Sequence, residues 1–262
     1  QAVAISDGAF DIMHQYLDDH QTGTASDVYT IGVTLTDDDA GTDTASATTT
    51  ISNVPPEIMD LVSSAPEVGD ARPGDVVTIT GLFADVGTLD THTAVIDWGD
   101  GTITAAVVDE AAGSFMGIHT YTTGGIFDIA VTLSDDDLGT VAATSTALVT
   151  GARVKDGELQ VVGTRGNDWV NINEVGKKLY KVHADFLPGR HHFLTFNTAD
   201  VESIKILLGN GNDHAHIAGN IDVPVTIDGG AGNDHLNAGG GPAVLLGSEG
   251  NDRLIGSRAD DE

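Results

Sequence analysis

Residues 229–237 read GGAGNDHLN and residues 247–255 read GSEGNDRLI, so one pattern recurs after 18 residues. Each copy joins a glycine-rich turn of six residues to three residues with an apolar one in the middle. Glycine permits the backbone angles of tight turns, and Asn and Asp favour turns. A six-residue turn plus a three-residue strand is the nonapeptide period of a parallel β-solenoid. Turns 18 residues apart are therefore expected to stack on one edge.

Two further turns carry the same glycines and acids. Residues 163–168 read GTRGND, and residues 208–213 read LGNGND. The second of these precedes the 229–234 turn by 21 residues rather than 18, and Leu208 replaces its first glycine. Apolar residues alternate after each turn, which predicts short strands. Two weaker copies lack part of the pattern, at residues 238–243 and 256–261.

The chemistry of these turns predicts calcium binding. Glycines allow carbonyl oxygens to point inward and aspartate adds a carboxylate, and both are donors that Ca²⁺ prefers. An ion between two stacked turns would take carbonyls and one aspartate from each. Because the short strands bury little apolar surface, ion binding is expected to supply much of the folding free energy. The alternative is that Gly-Asn-Asp only forms tight turns, but several copies on one period disfavour it.

The repeated turns resemble the hemolysin-type (RTX) calcium-binding repeats over about residues 205–262. The resemblance implies a calcium-binding β-roll with Ca²⁺ as its cofactor. Its best-matched site lies between the 229–234 and 247–252 turns, and a second would join the 208–213 turn to the 229–234 turn. A third would pair the two weaker copies. The implied ligand residues are Asn210, Gly211, Asp213, Gly229, Ala231, Gly232, Asp234, Gly247, Glu249, Gly250, Asp252 and Asp261.

Asp168 lies 45 residues before Asp213 and stands apart from the regular period. It either binds calcium as well or only closes its own turn. Between these two turns, apolar and polar residues alternate as they do in strands. This alternation predicts a β-rich cap on the roll.

An internal repeat of another kind precedes the roll. Residues 29–39 read YTIGVTLTDDD and residues 127–137 read FDIAVTLSDDD. The alternation predicts strands with one buried face. The acidic triplet predicts a turn in which Gly41 and Gly139 take positive φ. Strands joined by such turns predict an antiparallel sandwich.

The second copy of this repeat is the more complete. Residues 97–101 read DWGDG and are followed by His119 and Tyr121. Together they resemble a polycystic-kidney-disease (PKD) domain over residues 57–150, which implies an immunoglobulin-like β-sandwich found in cell-surface proteins and secreted hydrolases. The first copy, residues 1–53, matches only the C-terminal half of that family. Either the chain is trimmed there, or a neighbouring chain donates the missing strands.

The predicted fold class is therefore all-β, with immunoglobulin-like sandwiches followed by a parallel β-roll or β-solenoid. Paired prolines at residues 55–56 predict an extended linker between the two repeat copies. The predicted domains are a partial PKD-like sandwich at 1–53, a PKD-like sandwich at 57–150 and a calcium-binding roll with its cap at 151–262.

Charge and composition narrow the classes of function. Eleven Lys and Arg against 40 Asp and Glu give a formal charge of −29, which excludes nucleic acid as a partner because phosphates would be repelled. Such self-repulsion opposes compaction, and divalent cations would offset it. The chain has no cysteine, which excludes disulfides and thiolate chemistry. It has no run of transmembrane length, and no signal peptide at its start.

Weaker signals have simpler explanations. The acidic triplets at 37–39 and 135–137, with Asp97 and Asp100, could bind calcium, but solvated turn carboxylates are favoured. His14 and His119 match across the copies and are expected to pack beside the nearby tyrosines. Three histidines could form a ladder or a transition-metal site on the roll, although exposed polar positions explain them more simply. They are His214, His216 and His235.

We expect a structural or adhesive module of a secreted or cell-surface protein, in an extracellular filament or layer. Its partners would be calcium ions and other protein chains or cell-surface polymers. The alternative is a non-catalytic accessory region of a large secreted hydrolase. A carbohydrate-binding module is disfavoured because exposed aromatic platforms are scarce. No catalytic motif occurs, so the chain is not expected to be an enzyme.

Overall fold

The computed structural model describes residues 8–19, 23–257 and 259. These residues form 21 strands in five sheets and one 3₁₀ turn at Thr198–Asp200. The described part of the chain holds no helix that is long and apolar enough to cross a membrane. The predicted all-β class is confirmed.

The first repeat copy forms a hairpin of two long strands. β1 (Ser26–Thr36) pairs antiparallel with β2 (Thr42–Ser52) along its whole length, and among the described residues no third strand joins them. Apolar side chains on β1 stay exposed, with 66% of Val28 and 51% of Leu35 accessible. An isolated two-stranded sheet has little surface on which to bury one face. Residues 10–17, which precede the hairpin, form no strand.

The next eight strands form two antiparallel sheets that face one another. One sheet has the order β3-β4-β8-β7 and the other β10-β9-β5-β6. This is the strand order of an immunoglobulin-like β-sandwich, as the repeat predicts. The bounds are β3 (Glu57–Ser63), β4 (Val76–Ala84), β5 (Thr93–Asp97), β6 (Ile103–Ala105), β7 (Val107–Asp109), β8 (Ser114–Thr120), β9 (Gly125–Ser134) and β10 (Thr140–Val149).

An aromatic cluster fills one end of the sandwich. Trp98 is fully buried, and its Nε1 donates to Oγ1 of Thr104 at 2.9 Å. The hydroxyl of Tyr121 donates to the carbonyl of Trp98 at 2.9 Å. His119 stacks on the indole with 5.1 Å between ring centroids and lies edge-on to Tyr121. The DWGDG and His-x-Tyr motifs therefore build the core, and the expected packing of His119 beside Tyr121 is confirmed.

The glycines after the acidic triplets have a different role from the one predicted. Positive φ falls on the preceding residues, Ala40 (66°) and Leu138 (74°), and not on Gly41 or Gly139. The carboxylate of Asp135 accepts the N–H of Gly139 at 2.7 Å. A Cβ on that glycine would lie 2.1 Å from Oδ2 of the same carboxylate. The glycine is therefore needed for this close approach and not for its φ.

Residues 151–257 wind back and forth between two sheets, and we call this part of the chain the coil. The first has the order β11-β12-β16-β18-β20 and the second β15-β14-β13-β17-β19-β21. Neighbours from β12 to β20 and from β13 to β21 are parallel, and β11, β14 and β15 are antiparallel additions. The bounds are β11 (Gly151–Lys155), β12 (Glu158–Val162), β13 (Trp169–Val175), β14 (Leu179–Ala184), β15 (Phe193–Asn197), β16 (Ser203–Leu207), β17 (His214–Ile217), β18 (Val225–Asp228), β19 (His235–Asn237), β20 (Ala243–Leu246) and β21 (Arg253–Ile255).

The coil begins directly on the sandwich. The guanidinium of Arg153 lies 3.7 Å from the ring centroid of Phe127, and its Nε donates to Oε1 of Gln160 at 3.0 Å. The hydroxyl of Thr150 donates to the carbonyl of Gly163 at 2.7 Å. The Thr150 bond therefore holds the start of the first glycine-rich turn, and Arg153 packs β11 on the sandwich.

The tyrosine hydroxyl at the core of the sandwich gives a stability prediction. Tyr121→Phe leaves the buried carbonyl of Trp98 without its donor, so we expect a loss of about 1–2 kcal/mol. Urea unfolding followed by Trp98 fluorescence in a Trp169→Phe background measures it. Tyr29→Phe, which removes a hydroxyl outside the sandwich, serves as the control. Equal losses in the two variants would contradict the assignment.

Candidate metal-binding site

Four glycine-rich turns stack at one edge of the coil. Each connects a strand of the first sheet to a strand of the second: β12 to β13, β16 to β17, β18 to β19, and β20 to β21. The turns are residues 163–168, 208–213, 229–234 and 247–252. We call them the turn stack. The 163–168 turn belongs to it because the intervening β14 and β15 extend one sheet sideways and leave the stacking order unchanged.

The last aspartates of the four turns form a continuous ladder. The backbone N–H of Asp168 donates to Oδ1 of Asp213 at 2.7 Å. The N–H of Asp213 donates in turn to Oδ1 of Asp234 at 2.8 Å, and that of Asp234 to Oδ1 of Asp252 at 2.9 Å. Each carboxylate thus uses one oxygen to hold the preceding turn.

A second ladder is formed by the asparagines before these aspartates. The N–H of Asn212 donates to Oδ1 of Asn167, that of Asn233 to Asn212, and that of Asn251 to Asn233, at 2.8, 2.8 and 3.0 Å. This ladder runs opposite to the aspartate ladder. The sequence prediction overlooked these residues, although the presence of Asn in all four turns was the available signal.

The middle glycines let the turns approach closely. A Cβ on Gly232 would lie 1.6 Å from the carbonyl oxygen of Gly211, and one on Gly250 would lie 1.5 Å from that of Gly232. Both glycines also have positive φ, 143° and 135°. A side chain at either position would force the turns apart, which explains the glycine at this place in the last two turns.

Backbone hydrogen bonds complete the stack. Ala231 forms isolated parallel β-bridges with both Asn210 and Glu249. Its carbonyl accepts the N–H of Gly211 at 2.8 Å, and the carbonyl of Glu249 accepts that of Gly232 at 2.7 Å. Each of these carbonyls has a second lone pair, so it can still bind a cation.

The remaining carboxylate oxygens are the unusual feature. Asp213 and Asp234 are each 2% exposed, and Oδ2 of each is buried without a hydrogen-bond partner. Burial raises the pKa of Asp213 to about 7, and burial likewise raises the pKa of Asp234. A buried anionic oxygen without a donor is costly unless a cation approaches it. Oxygen donors alone suit a hard cation such as Ca²⁺.

The structure brings the predicted residues of the two better-matched sites to the turn stack. Asn210, Ala231 and Glu249 form one column of backbone positions, and Gly211, Gly232 and Gly250 form a second. The aspartate ladder contains the carboxylates. Gly229 and Gly247 begin their turns, where a Cβ would lie 2.3 Å and 2.4 Å from the Oδ2 atoms of Asp234 and Asp252. Each of these carboxylates therefore folds back over the start of its own turn.

Asp168 and the third predicted site differ from this arrangement. Oδ2 of Asp168 accepts the N–H of Thr164 at 2.6 Å and Oδ1 accepts its hydroxyl at 2.7 Å, so this carboxylate closes its own turn. Residues 238–242 connect β19 to β20 and so lie at the edge opposite the turn stack. Asp261 lies outside the described residues.

The weaker acidic signals are largely turn chemistry. Oδ1 of Asp97 accepts the N–H of Gly99, and Oδ1 of Asp100 accepts that of Thr102. Oδ2 of Asp100 lies 2.8 Å from Nε2 of His119. These carboxylates are occupied within the sandwich motif, as the simpler interpretation predicts.

The roll histidines lie on the strands beside the turns. His214 and His235 are half-buried neighbours, with ring centroids 4.8 Å apart. Burial lowers the pKa of His214. Among the described residues, two groups of three acidic side chains are close enough to hold a metal ion. Neither group includes these histidines. A transition-metal site stays the less favoured interpretation of these histidines.

Comparisons with known proteins give a limited similarity to solved structures. No protein-family model matches the chain, and no curated protein matches it. Among solved structures, the PKD domain from human VPS10 domain-containing receptor SorCS2 matches at 25% identity, over 37% of this chain and 76% of that chain. The TM-score is 0.30. The sandwich assignment therefore rests on the strand order of the chain itself.

The buried ladder gives a pH prediction for the metal-free protein. An acid whose folded pKa is raised stabilises the fold below its unfolded pKa and loses that contribution as pH rises through the folded value. For Asp213 this window runs from about pH 4 to about pH 7. In chelator, Asp213→Asn should therefore unfold at higher temperature than the wild type at pH 8, and the gain should vanish near pH 4.

Thermal unfolding followed by circular dichroism measures this difference. Asp200→Asn, which removes an exposed acid, is the control and should show no such pH-dependent gain. With saturating calcium the sign should reverse, because Asp213→Asn then removes a ligand. A variant that is less stable than the wild type in chelator at pH 8 would contradict the assignment.

Proposed function

We propose that this chain is a calcium-binding structural module of a secreted or cell-surface protein. Its C-terminal part would be a β-roll of the hemolysin type, and its sandwich would be of the PKD type. The observation that carries the proposal is the pair of buried, unpartnered Oδ2 atoms on Asp213 and Asp234 within the turn stack. They are the anionic oxygens that calcium would satisfy.

The ligands would come from adjacent turns. One ion would lie between the 229–234 and 247–252 turns and a second between the 208–213 and 229–234 turns. Each would use aspartate oxygens and the backbone carbonyls of the columns described above. Calcium would then convert a column of repelling carboxylates into a cross-linked edge. The formal charge of −29 favours this role, because few cationic side chains are present to neutralise the acids.

The sandwich would act as a rigid spacer at the start of the roll. It is joined to the coil by Arg153 on Phe127, by Gln160 on the N–H of Ile126 and by the Thr150 hydroxyl. A chain built in this way would present a stiff, acidic surface to other chains or to cell-surface polymers when calcium is present. We propose no reaction for it.

A calcium titration tests the proposal. We expect calcium to raise the melting temperature and the β signal in circular dichroism, and chelator to reverse both. Binding to the folded state alone adds about 2.7 kcal/mol per site when free calcium is about 100 times the dissociation constant. The Asp234→Asn/Asp252→Asn double variant should lose most of this response.

The matched control is Asp200→Asn/Asp222→Asn, which removes the same charge from exposed positions. It should respond to calcium like the wild type. If the two double variants respond alike, calcium does not bind the turn stack. If magnesium at the same concentration gives the full response, the site is a general divalent site and the calcium assignment is wrong.

A further inference from the structure

The hairpin meets the sandwich at a junction crowded with acids. The N–H of Val54 donates to Oδ1 of Asp18 at 2.9 Å, and the N–H of Gly23 donates to Oδ1 of Asp137 at 2.6 Å. The segments that converge there are residues 18–19, 23–24, 53–55, 85–90 and 135–137. Acidic side chains thus come from both sides of the linker between the repeat copies.

Asp18 is the most informative of these acids. It is 9% exposed, so more than nine-tenths of it is buried. Its Oδ1 holds the linker, while its Oδ2 is buried and has no hydrogen-bond partner. That oxygen is aimed into the cluster, because a Cβ on Gly87 would lie 2.5 Å from it and 2.0 Å from Oδ2 of Asp90.

The carboxylates lie at metal-binding distances in two overlapping groups. Ligand oxygens of Asp18, Asp85 and Asp90 all lie within 4.8 Å of one another. The same is true of Asp90, Asp136 and Asp137, so Asp90 belongs to both groups. Such spacing between like charges is unfavourable without a cation between them.

Other oxygens around the cluster also lack donors. Both carboxylate oxygens of Asp19 are buried without a hydrogen-bond partner, as are Oδ2 of Asp90 and the amide oxygen of Asn53. Burial, followed by repulsion from neighbouring aspartates, raises the pKa of Asp19 and of Asp90 to about 6 each. Nε2 of His92 lies 3.1 Å from Oδ2 of Asp85, and Nδ1 of the same ring lies 2.9 Å from Oε2 of Glu110.

We propose that this junction is a second calcium centre, separate from the turn stack. Asp90 would be its shared ligand, with Asp18 and Asp85 on one side and Asp136 and Asp137 on the other. The donors are carboxylates and one amide oxygen, which is the set that Ca²⁺ takes and that softer metals do not prefer.

This centre would set the position of the hairpin. Asp18 and the hairpin precede the linker, whereas Asp85, Asp90 and Asp136 belong to loops of the sandwich. An ion that binds both sides would hold the two units in one orientation, and its removal would free the linker to move.

Two variants remove the centre by different means. Asp18→Asn/Asp90→Asn removes two charges and keeps an amide oxygen at each position. Gly87→Ala leaves the charge unchanged and places a methyl group against Asp18 and Asp90, and this glycine does not have positive φ. The control, Asp60→Asn/Asp109→Asn, removes two charges from exposed positions on the sandwich.

Calcium bound per full chain is measured by equilibrium dialysis. We expect both junction variants to bind at least one ion fewer than the wild type, and the control to bind the same number. The Asp234→Asn/Asp252→Asn variant should keep the junction ions, so failure of the turn stack and failure of the junction are distinguishable. Unchanged stoichiometry in both junction variants would overturn the proposal.

A distance measurement tests the orientation of the hairpin. The chain has no cysteine, so spin labels can be placed by Thr48→Cys on β2 and Thr80→Cys on β4. The distance distribution should be narrow in calcium and broad in chelator for the wild type and the control. It should be broad in both for Gly87→Ala. A narrow distribution in chelator for the wild type would show that no ion is needed there.

Discussion

Stacking of the glycine-rich turns forces like charges into a column. Parallel strands lie about 4.8 Å apart, so one aspartate per turn places carboxylates at about that spacing. Two unit charges at this distance repel by about 3 kcal/mol at an effective dielectric constant of about 20. The backbone hydrogen bonds of the turns and the asparagine ladder hold them there nevertheless. The glycines and the proposed need for calcium follow from this one geometric constraint. Burial within the stack raises the pKa of Asp213, and repulsion from Asp168 and Asp234 raises it further.

The sandwich and the coil are stabilised by different means. The sandwich buries large side chains, including Trp98 and Tyr121, and satisfies their polar atoms within one cluster. The coil buries mostly Val, Ile, Leu and Ala along short strands and carries its buried aspartates at one edge. The junction with the hairpin combines both situations, because buried acids there adjoin a well-packed sandwich.

The sequence alone predicted the parts of the fold that depend on local patterns. Alternation at residues 127–133 and the period of the 229–234 and 247–252 turns led to the sandwich and the parallel strands. Contacts between distant segments could not be read in this way. The 163–168 turn joins the stack only because two strands extend sideways, and Asp18 meets Asp90 only through the path of the linker. The φ values of Ala40 and Leu138 depend on how an aspartate caps the following glycine.

The two edges of the coil differ in their tolerance of length. Successive rungs of the aspartate ladder are separated by 45, 21 and 18 residues, yet their spacing in the stack is the same. The additional residues leave and re-enter the coil on the side away from the ladder, as the β14–β15 excursion does. Insertions and deletions can therefore accumulate on that side during evolution without disturbing the charged edge. The same side is where a designer could graft a peptide loop into this scaffold.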